Sequence, residues 1–555
     1  MIDQETKEST GASVTREMID HIFPACRRVV DPDSWKHLCH GHDVPESIVE
    51  RIALRAGGTG IPQFLASLAR LEWILYNVKT VHLKADHLQR LSRYEVNPAL
   101  RIVPLSWKNL LPFISTGKGE QGCTPEPGKE IVIVWRDEEA GEARYKVATD
   151  EDLLAIKIIV EGIDPVDVAR QGSVAVGAID AVIDRAAERG LILKPQSRLR
   201  RDVTPFSDPV DVPERFRSAD VFTLQWHITQ TCDLHCKHCY DRSDITPLPL
   251  EKGIAVLDDM RVFCRSRYVR GHITFTGGNP LLYPRFLELY REAADRGFSL
   301  AVLGNAAPKL MIEKLLSIKM PTHFQVSLEG LPEHNDRIRG RGYFDRVMKF
   351  LDILQDMDVY SMVMLTLTRD NIDQVLPLAE ILRHRTDLFT FNRLSMVGEG
   401  ANLLLPTKEQ YEAFLRSYIK AARHNPVMGL KDNLINIILH EQGNEPFGGC
   451  AGFGCGAAFN FLSILPDGEA HACRKFPSPV GNIIDEGIGK VYDSEISRRY
   501  RRGCSACDRC SVRHVCGGCL AIAHNHGLDI SMDRDPFCFI QKDRLATDPP
   551  PKQIK

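Results

Sequence analysis

A chain of 555 residues exceeds what one hydrophobic core holds, and 43% apolar residues is enough to bury three or four domains. A formal net charge of −3 argues against a generally basic, nucleic-acid-binding surface. Apolar runs such as 153–160 fall far short of the ~20 residues a spanning helix needs, and the polar start, MIDQETKESTGASVTREM, carries no secretory-type apolar stretch, so no membrane partner and a cytoplasmic location are expected. Sixteen cysteines do not suit disulfides in such a compartment, and eleven of them fall into two sets with ligand-like spacing.

In chain order, residues 14–112 read as a helical N-terminal domain, with Phe64, Leu68, Leu71, Leu75 and Val78 forming an apolar stripe that belongs to core packing. Cys26 and Cys39 show no tight metal spacing. The Gly- and Pro-rich stretch 115–129 marks a boundary. Residues 131–135 and 143–147 then read as a hairpin across a turn at 137–141, followed by a helix from Asp150 capped by Thr149. A short helix starts near Pro165, and a longer one runs from Ser173 as N-cap to Gly190, burying Ile179, Val182, Ile183 and Ala186. Two strands and three helices over 130–195 describe a small winged-helix-like unit, for which DNA binding or a spacer role are the plain alternatives. Arg198, Arg200 and Arg201 read as a solvated charge run in a linker.

That unit resembles the leader-peptide recognition domain of enzymes that modify ribosomal peptides, similar to the pyrroloquinoline-quinone chaperone fold. The resemblance implies that an extended peptide joins the exposed edge of the hairpin as an added strand.

From 220 to 400 short apolar runs alternate with amphipathic helices. Strands are expected at 222–229, 273–276, 300–303, 324–327, 359–367 and 389–394, making an α/β partial (β/α)6 TIM-type barrel with its chemistry at the carboxyl ends of the strands. The first strand leads into TQTCDLHCKHCYDRS, which places Cys232, Cys236 and Cys239 within eight residues. Thiolates suit zinc or iron-sulfur centres, but a closed zinc site wants four protein ligands and no fourth completes a finger here.

The C-x3-C-x2-C loop after the first barrel strand resembles the radical S-adenosylmethionine family. The resemblance implies a [4Fe-4S] cluster whose open iron is chelated by S-adenosylmethionine, which on one-electron reduction yields methionine and a 5'-deoxyadenosyl radical. Further segments carry the likeness. Thr276, Gly277, Gly278, Asn279 and Pro280 stand where the family has Gly-Gly-Glu-Pro near the methionine amino group, with Asn279 in place of the glutamate. Asn305 matches a Thr-Asn-Gly position near the ribose, between Gly304 and Ala306. Ser327, Leu328, Glu329 and Gly330, then His334, Asn335, Arg337, Arg339 and Gly340, look like the Ser-Leu-Asp-Gly and Arg-Gly segment of peptide-modifying members, with Glu329 where Asp is usual and Ser327 as a cofactor contact.

The second set, Cys450, Cys455, Cys473, Cys507, Cys510, Cys516, Cys519 and Cys538 over 445–545, suits two four-thiolate clusters. Its C-x2-C-x5-C-x2-C core resembles the SPASM auxiliary-cluster domain, with the last gap one residue short at Gly517 and Gly518. The resemblance implies one auxiliary [4Fe-4S] cluster on Cys450, Cys455, Cys473 and Cys519 and another on Cys507, Cys510, Cys516 and Cys538. A zinc ribbon is the alternative for C-x2-C pairs. Cys504, Cys26, Cys39, Cys123 and Cys264 are surplus thiols, although Cys504 replaces Cys507 if the register differs.

The order of parts resembles maturases of ribosomally made peptides, and the FTGGNPLLYP segment with its long N-terminus looks most like thio(seleno)oxazole, or selenobiotic, peptide maturases. The implied reaction is hydrogen abstraction from a precursor peptide with a leader, installing a thioether or heterocycle. A one-electron reductant such as flavodoxin or ferredoxin is implied as a further partner. Two other readings compete. An anaerobic sulfatase maturase would not need the segment at 131–193 and carries an acid where Arg474 follows Cys473. An iron-sulfur redox-sensing winged-helix regulator leaves the Thr-Gly-Gly and Ser-Leu-Glu-Gly loops unexplained.

Overall fold

The structure is a computed structural model that describes residues 15–39, 45–81, 90–115, 124–137, 140–204 and 212–540, so Cys123 and most of the 115–129 stretch lie outside the described residues. The chain divides into two compact units, 1–174 with 179–196 and 175–178 with 197–555.

In the first unit, helices α1 (Arg16–Ile22), α2 (Pro24–Val29), α3 (Pro32–Leu38), α4 (Pro45–Arg55) and α5 (Leu65–Thr80) precede two strands, β1 (Glu95–Val96) and β2 (Arg101–Lys108), and a short helix α6 (Leu111–Ser115). Strands β3 (Glu126–Asp137) and β4 (Glu142–Val147) form the expected hairpin, and β2 pairs antiparallel along the other side of β3. The sheet order is therefore β2-β3-β4. A strand thus lies within the stretch expected to be helical, and it pairs across the Gly- and Pro-rich segment expected to separate two domains. Pro104 obscures β2 in the sequence, because proline donates no ladder hydrogen bond; it is accommodated on an edge strand.

Both faces of this sheet are covered. Val103, Leu105, Val132 and Val134 pack with the buried residues of α1 to α5, including Leu68, Leu71, Leu75 and Val78. Ile133 and Trp135 pack on the other face against Ala155, Ile156, Val182 and Ala186. Residues 132–136 of the central strand are accordingly all buried. Helix α7 (Asp150–Glu161) starts with the expected Thr149 cap, reciprocated by Asp152 in a capping box. Helices α8 (Pro165–Gly172) and α9 (Val176–Glu188) follow, and β5 (Ile192–Leu193) pairs with β1. Ser173 is a correction to the sequence reading: it is the left-handed C-cap of α8 (φ 50°), not the N-cap of α9, because its N–H and that of Val174 close on the Arg170 and Ala169 carbonyls.

In the second unit, β6 (Val221–Thr229), β7 (Arg270–Gly277), β8 (Ser299–Leu303), β9 (His323–Ser327), β10 (Ser361–Leu367) and β11 (Leu388–Arg393) pair in parallel in sequence order. The connections carry α10 (Leu250–Arg267), α11 (Phe286–Asp295), α12 (Lys309–Leu316), α13 (Pro332–Arg339), α14 (Tyr343–Asp356) and α15 (Val375–Leu382). Leu224, Trp226, Ile273, Phe275, Leu300, Val302, Phe324 and Val326 are buried by the surrounding helices, the pattern of a parallel sheet covered on both faces. The sheet does not stop at β6. After α16 (Lys408–Ala422) and α17 (Ile435–Glu441), β12 (Phe461–Ile464) adds in parallel to β6, and β13 (Glu469–His471) and β14 (Pro479–Asn482) continue antiparallel. The cysteine-rich segment thus extends the same nine-stranded sheet.

Candidate active site and auxiliary thiol sets

The loop after β6 carries Cys232, which is exposed, and Cys236 and Cys239, which are half-buried. Its ends are tied to the neighbouring strand loops. Gly278 N donates to Thr229 O (2.9 Å) and Asn279 N to Thr231 O (2.8 Å), while Lys237 N reaches Ile338 O (3.0 Å) and Glu399 N reaches Cys239 O (2.9 Å). The first pair of contacts explains the two glycines. A Cβ on Gly277, whose φ is +130°, would lie 2.1 Å from Thr229 O, and one on Gly278 would lie 2.4 Å from Thr231 O.

Polar groups surround the three sulfurs. Asn305 Nδ2 lies 3.6 Å from Cys232 Sγ, and the Arg339 guanidinium lies 3.7 Å from Cys236 Sγ. Asn305, expected near a ribose, also donates to Asp233 Oδ1 (2.6 Å) and accepts from Tyr343 (3.3 Å). Asn279 is buried, with its Nδ2 on the same Asp233 oxygen (3.0 Å). Ser327 is half-buried at the carboxyl end of β9. Asp233 was not singled out in the sequence, although it directly follows the first loop cysteine.

Glu329 is fully buried and acts as a bracket. One carboxylate oxygen accepts from Arg339 (2.9 and 2.6 Å) and the other from Thr366 N of β10 (2.8 Å), with His238 3.4 Å away. Burial opposes its ionisation, but His238, Arg339 and the Thr366 N–H outweigh burial and hold the carboxyl below its ordinary range. The longer glutamate in place of aspartate thus spans from the β9 loop to β10 while anchoring Arg339 beside Cys236. Arg337 lies apart from this bracket and contacts His334 Nδ1 (2.7 Å).

The downstream thiols separate into two groups. Burial, then Cys519 and Cys450, push Cys455 up to about 11; burial, with Cys455 and Cys519 adding, pushes Cys473 up to about 12. Cys455 feels Cys450 and Cys519, and Cys473 feels Cys455 and Cys519, because the four thiols lie in one neighbourhood. Cys507, Cys510, Cys516 and Cys538 line one cavity together with Leu434 and Ile437. Cys516 and Cys519 face different groups, and the two residues between them, Gly517 and Gly518, both take positive φ (63° and 66°) to reverse the chain. Cys504 is buried, with its Sγ 3.2 Å from Cys507 Sγ. Among the described residues no three His, Cys, Asp or Glu groups converge as a single metal ion requires. A four-iron cluster holds its thiolates farther apart, and its soft irons match these donors.

Arginines whose contacts the sequence reading did not foresee lie around these groups. Arg201 is not in a solvated run: its guanidinium is buried, donates to Cys455 O and stacks on Phe459 (4.6 Å). Arg200 forks onto Glu214 (2.6 and 2.9 Å), and Arg198 lies over Tyr268 (4.9 Å). Arg474 pairs with Asp241, two residues past Cys239, and lies over Tyr240. Arg393, at the end of β11, is bidentate to Asp535 (3.0 and 2.6 Å), which in turn accepts from Cys519 N (3.0 Å). The sequence signals nothing of these pairs, whose members lie up to 254 residues apart.

Residues 226–382 match the model of the Radical SAM superfamily, and residues 455–519 match that of an iron-sulfur cluster-binding domain, SPASM. The chain is a radical SAM enzyme with a SPASM domain. Its radical SAM domain binds a [4Fe-4S] cluster and S-adenosylmethionine, and its SPASM domain carries auxiliary iron-sulfur clusters. The reading as a cluster-bearing regulator is thereby set aside. Among curated proteins, the chain is 25% identical over 311 residues to the antilisterial bacteriocin subtilosin biosynthesis protein AlbA of Bacillus subtilis, covering 53% of this chain and 66% of AlbA. It is 28% identical over 378 residues to the mycofactocin maturase MftC of Mycolicibacterium smegmatis, covering 62% and 91%. Among solved structures, Streptococcus suis SuiB bound to precursor peptide SuiA aligns over 74% of this chain and 96% of that one, with 14% identity and a TM-score of 0.49. Among the described residues no helix is long and apolar enough to cross a membrane.

Proposed function

We propose that this enzyme is a peptide maturase that removes a hydrogen atom from a ribosomally made precursor peptide to install a thioether or heterocycle. The observation that carries the reading is a three-stranded antiparallel sheet followed by three helices in the same chain as the radical SAM and SPASM domains. Strand β3 is paired on both sides, so the hairpin offers one free edge, β4. An extended leader adding there would bond through its backbone, which tolerates varied side chains. The relatives AlbA and MftC, whose names describe bacteriocin biosynthesis and mycofactocin maturation, support a peptide-derived substrate.

In this reading Cys232, Cys236 and Cys239 hold the [4Fe-4S] cluster, with Gly277, Gly278, Asn279, Asn305 and Ser327 lining the cofactor's place. When bound, the cofactor supplies a 5'-deoxyadenosyl radical. The chain's own residues bind and orient: the two glycines let the β7 loop approach the cysteine loop, and Glu329 fixes Arg339 beside Cys236. Cys450, Cys455, Cys473 and Cys519 hold one auxiliary cluster and Cys507, Cys510, Cys516 and Cys538 the other. Four protein thiolates on each leave no open iron, which suits electron acceptance rather than substrate binding. A flavodoxin- or ferredoxin-type protein is the reductant. Formylglycine formation fits less well, because position 474 holds a guanidinium paired with Asp241 and no proton acceptor.

The test uses anaerobically reconstituted full-length protein with a synthetic precursor peptide. Reduction should give 5'-deoxyadenosine, and the β4 amides should gain hydrogen-exchange protection on peptide addition. A protein that forms no 5'-deoxyadenosine refutes the radical chemistry. One that forms it while peptide leaves β4 exchange unchanged refutes the docking.

A further inference from the structure

We infer that Asp233 supplies the carboxylate that receives the amino group of S-adenosylmethionine, the part left open where Asn279 replaces a glutamate. The inference rests on the radical SAM reading of the cysteine loop. An amino group held at an iron still presents N–H donors, and an anionic acceptor binds them more strongly than a neutral one. Asn279 offers no anion, and its carboxamide is already committed, with Nδ2 on Asp233 Oδ1 (3.0 Å) and Oδ1 accepting from Leu281 N (3.3 Å).

Asp233 has the complementary properties. It follows Cys232 directly, and its Oδ1 takes a second carboxamide donor from Asn305 (2.6 Å), whose same nitrogen lies 3.6 Å from Cys232 Sγ. The loops after β7 and β8 therefore each aim a donor at one carboxylate oxygen of the β6 loop, beside the cluster thiol. The other oxygen, Oδ2, has Arg346 at 4.0 Å, beyond hydrogen-bond length, and the side chain is 36% exposed. Two donors on Oδ1 fix the orientation while Oδ2 stays open to a ligand. Arg346 lies over the Tyr343 ring (4.9 Å) and meets the carboxylate only as a long ion pair, without a hydrogen bond. Asn279 and Asn305 are then positioning residues, and Asp233 is the binding one.

The experiment transposes the charge. D233N and the pair D233N/N279E are reconstituted as full-length protein alongside wild type, with iron content measured for each. Equilibrium binding of S-adenosylmethionine is followed by the change it causes in the EPR spectrum of the reduced cluster. D233N should keep its iron and bind the cofactor roughly ten- to a hundred-fold more weakly, the loss expected for a hydrogen bond to a charged group. D233N/N279E should recover most of that affinity. Wild-type affinity in D233N, or no recovery in the pair, overturns the inference. So does loss of the radical-cluster iron from D233N, which would make Asp233 a loop anchor. A wild-type protein with no such cluster would instead refute the underlying reading of the loop.

Discussion

Replacing Arg393 by methionine removes a guanidinium that is 1% exposed and leaves two acids behind. Asp535, also 1% exposed, loses a bidentate partner at 3.0 and 2.6 Å, and Asp432 loses a charge at 2.9 Å. Asp535 keeps the N–H groups of Cys519 and Phe537, both at 3.0 Å, so it is not wholly unsolvated. Removing one member of a buried pair costs about 3–5 kcal/mol, because the remaining charge stays buried. The cost falls where β11 meets the segment holding Cys519 and Cys538, and it should appear as local opening. The assay is hydrogen exchange at the Cys519 and Phe537 amides in the anaerobic full-length protein. At 1.4 kcal/mol per factor of ten, exchange should speed up by about two to nearly four powers of ten. D535L removes the acceptor of both amides, so its cost is read from urea unfolding instead, where it should be destabilised to a similar extent and R393M/D535L should recover part of the loss because one stranded charge is gone. An R393M protein with exchange unchanged within a factor of about five, below ~1 kcal/mol, refutes the bracing role.

Gly278→Ala places a Cβ 2.4 Å from Thr231 O and 2.5 Å from Gln230 O, so the backbone entering Cys232 must shift. Overpacking of this kind costs about 1–3 kcal/mol, and the variant should lose cofactor binding while retaining its auxiliary-cluster iron. Asp152 accepts from Lys146 (2.6 Å), Arg189 (2.9 Å) and the Thr149 N–H (3.0 Å). Burial works against its ionisation, but the Lys146 and Thr149 hydrogen bonds prevail and hold its carboxyl below the ordinary range. Its stabilisation is therefore present above the unfolded value of about 3.9 and fades as pH falls below it. Protection factors of the α7 amides in the full chain should drop in that acid window, and D152N should flatten the drop.

The cysteine loop, the glycine pair and the strand repeats were legible because each rests on residues close in the chain. Three thiols within eight residues can wrap one cluster whatever surrounds them, and alternating apolar runs report strands buried on both faces. The Thr149 cap on α7 was readable for the same reason. Other features were not. Pro104 hid β2, whose strand character comes from pairing with β3 across the 115–129 stretch. Ser173 had the right chemistry for an N-cap, but carbonyls behind it claimed its position as a C-cap. The charge run at 198–201 looked solvated because nothing local reveals that Phe459 and the Cys455 carbonyl await Arg201.

Sequence by itself determined which residues have the chemistry for clusters and roughly where the strands of the barrel lie, with β7 starting three residues earlier than expected, since thiol spacing and apolar periodicity are local properties. Only the tertiary structure decided that Asn279 and Asn305 share the Asp233 carboxylate, that Glu329 spans to Thr366, and that Asp535 anchors β11. Those contacts join loops from separate strands, and a buried charge selects its partner by position in space rather than along the chain.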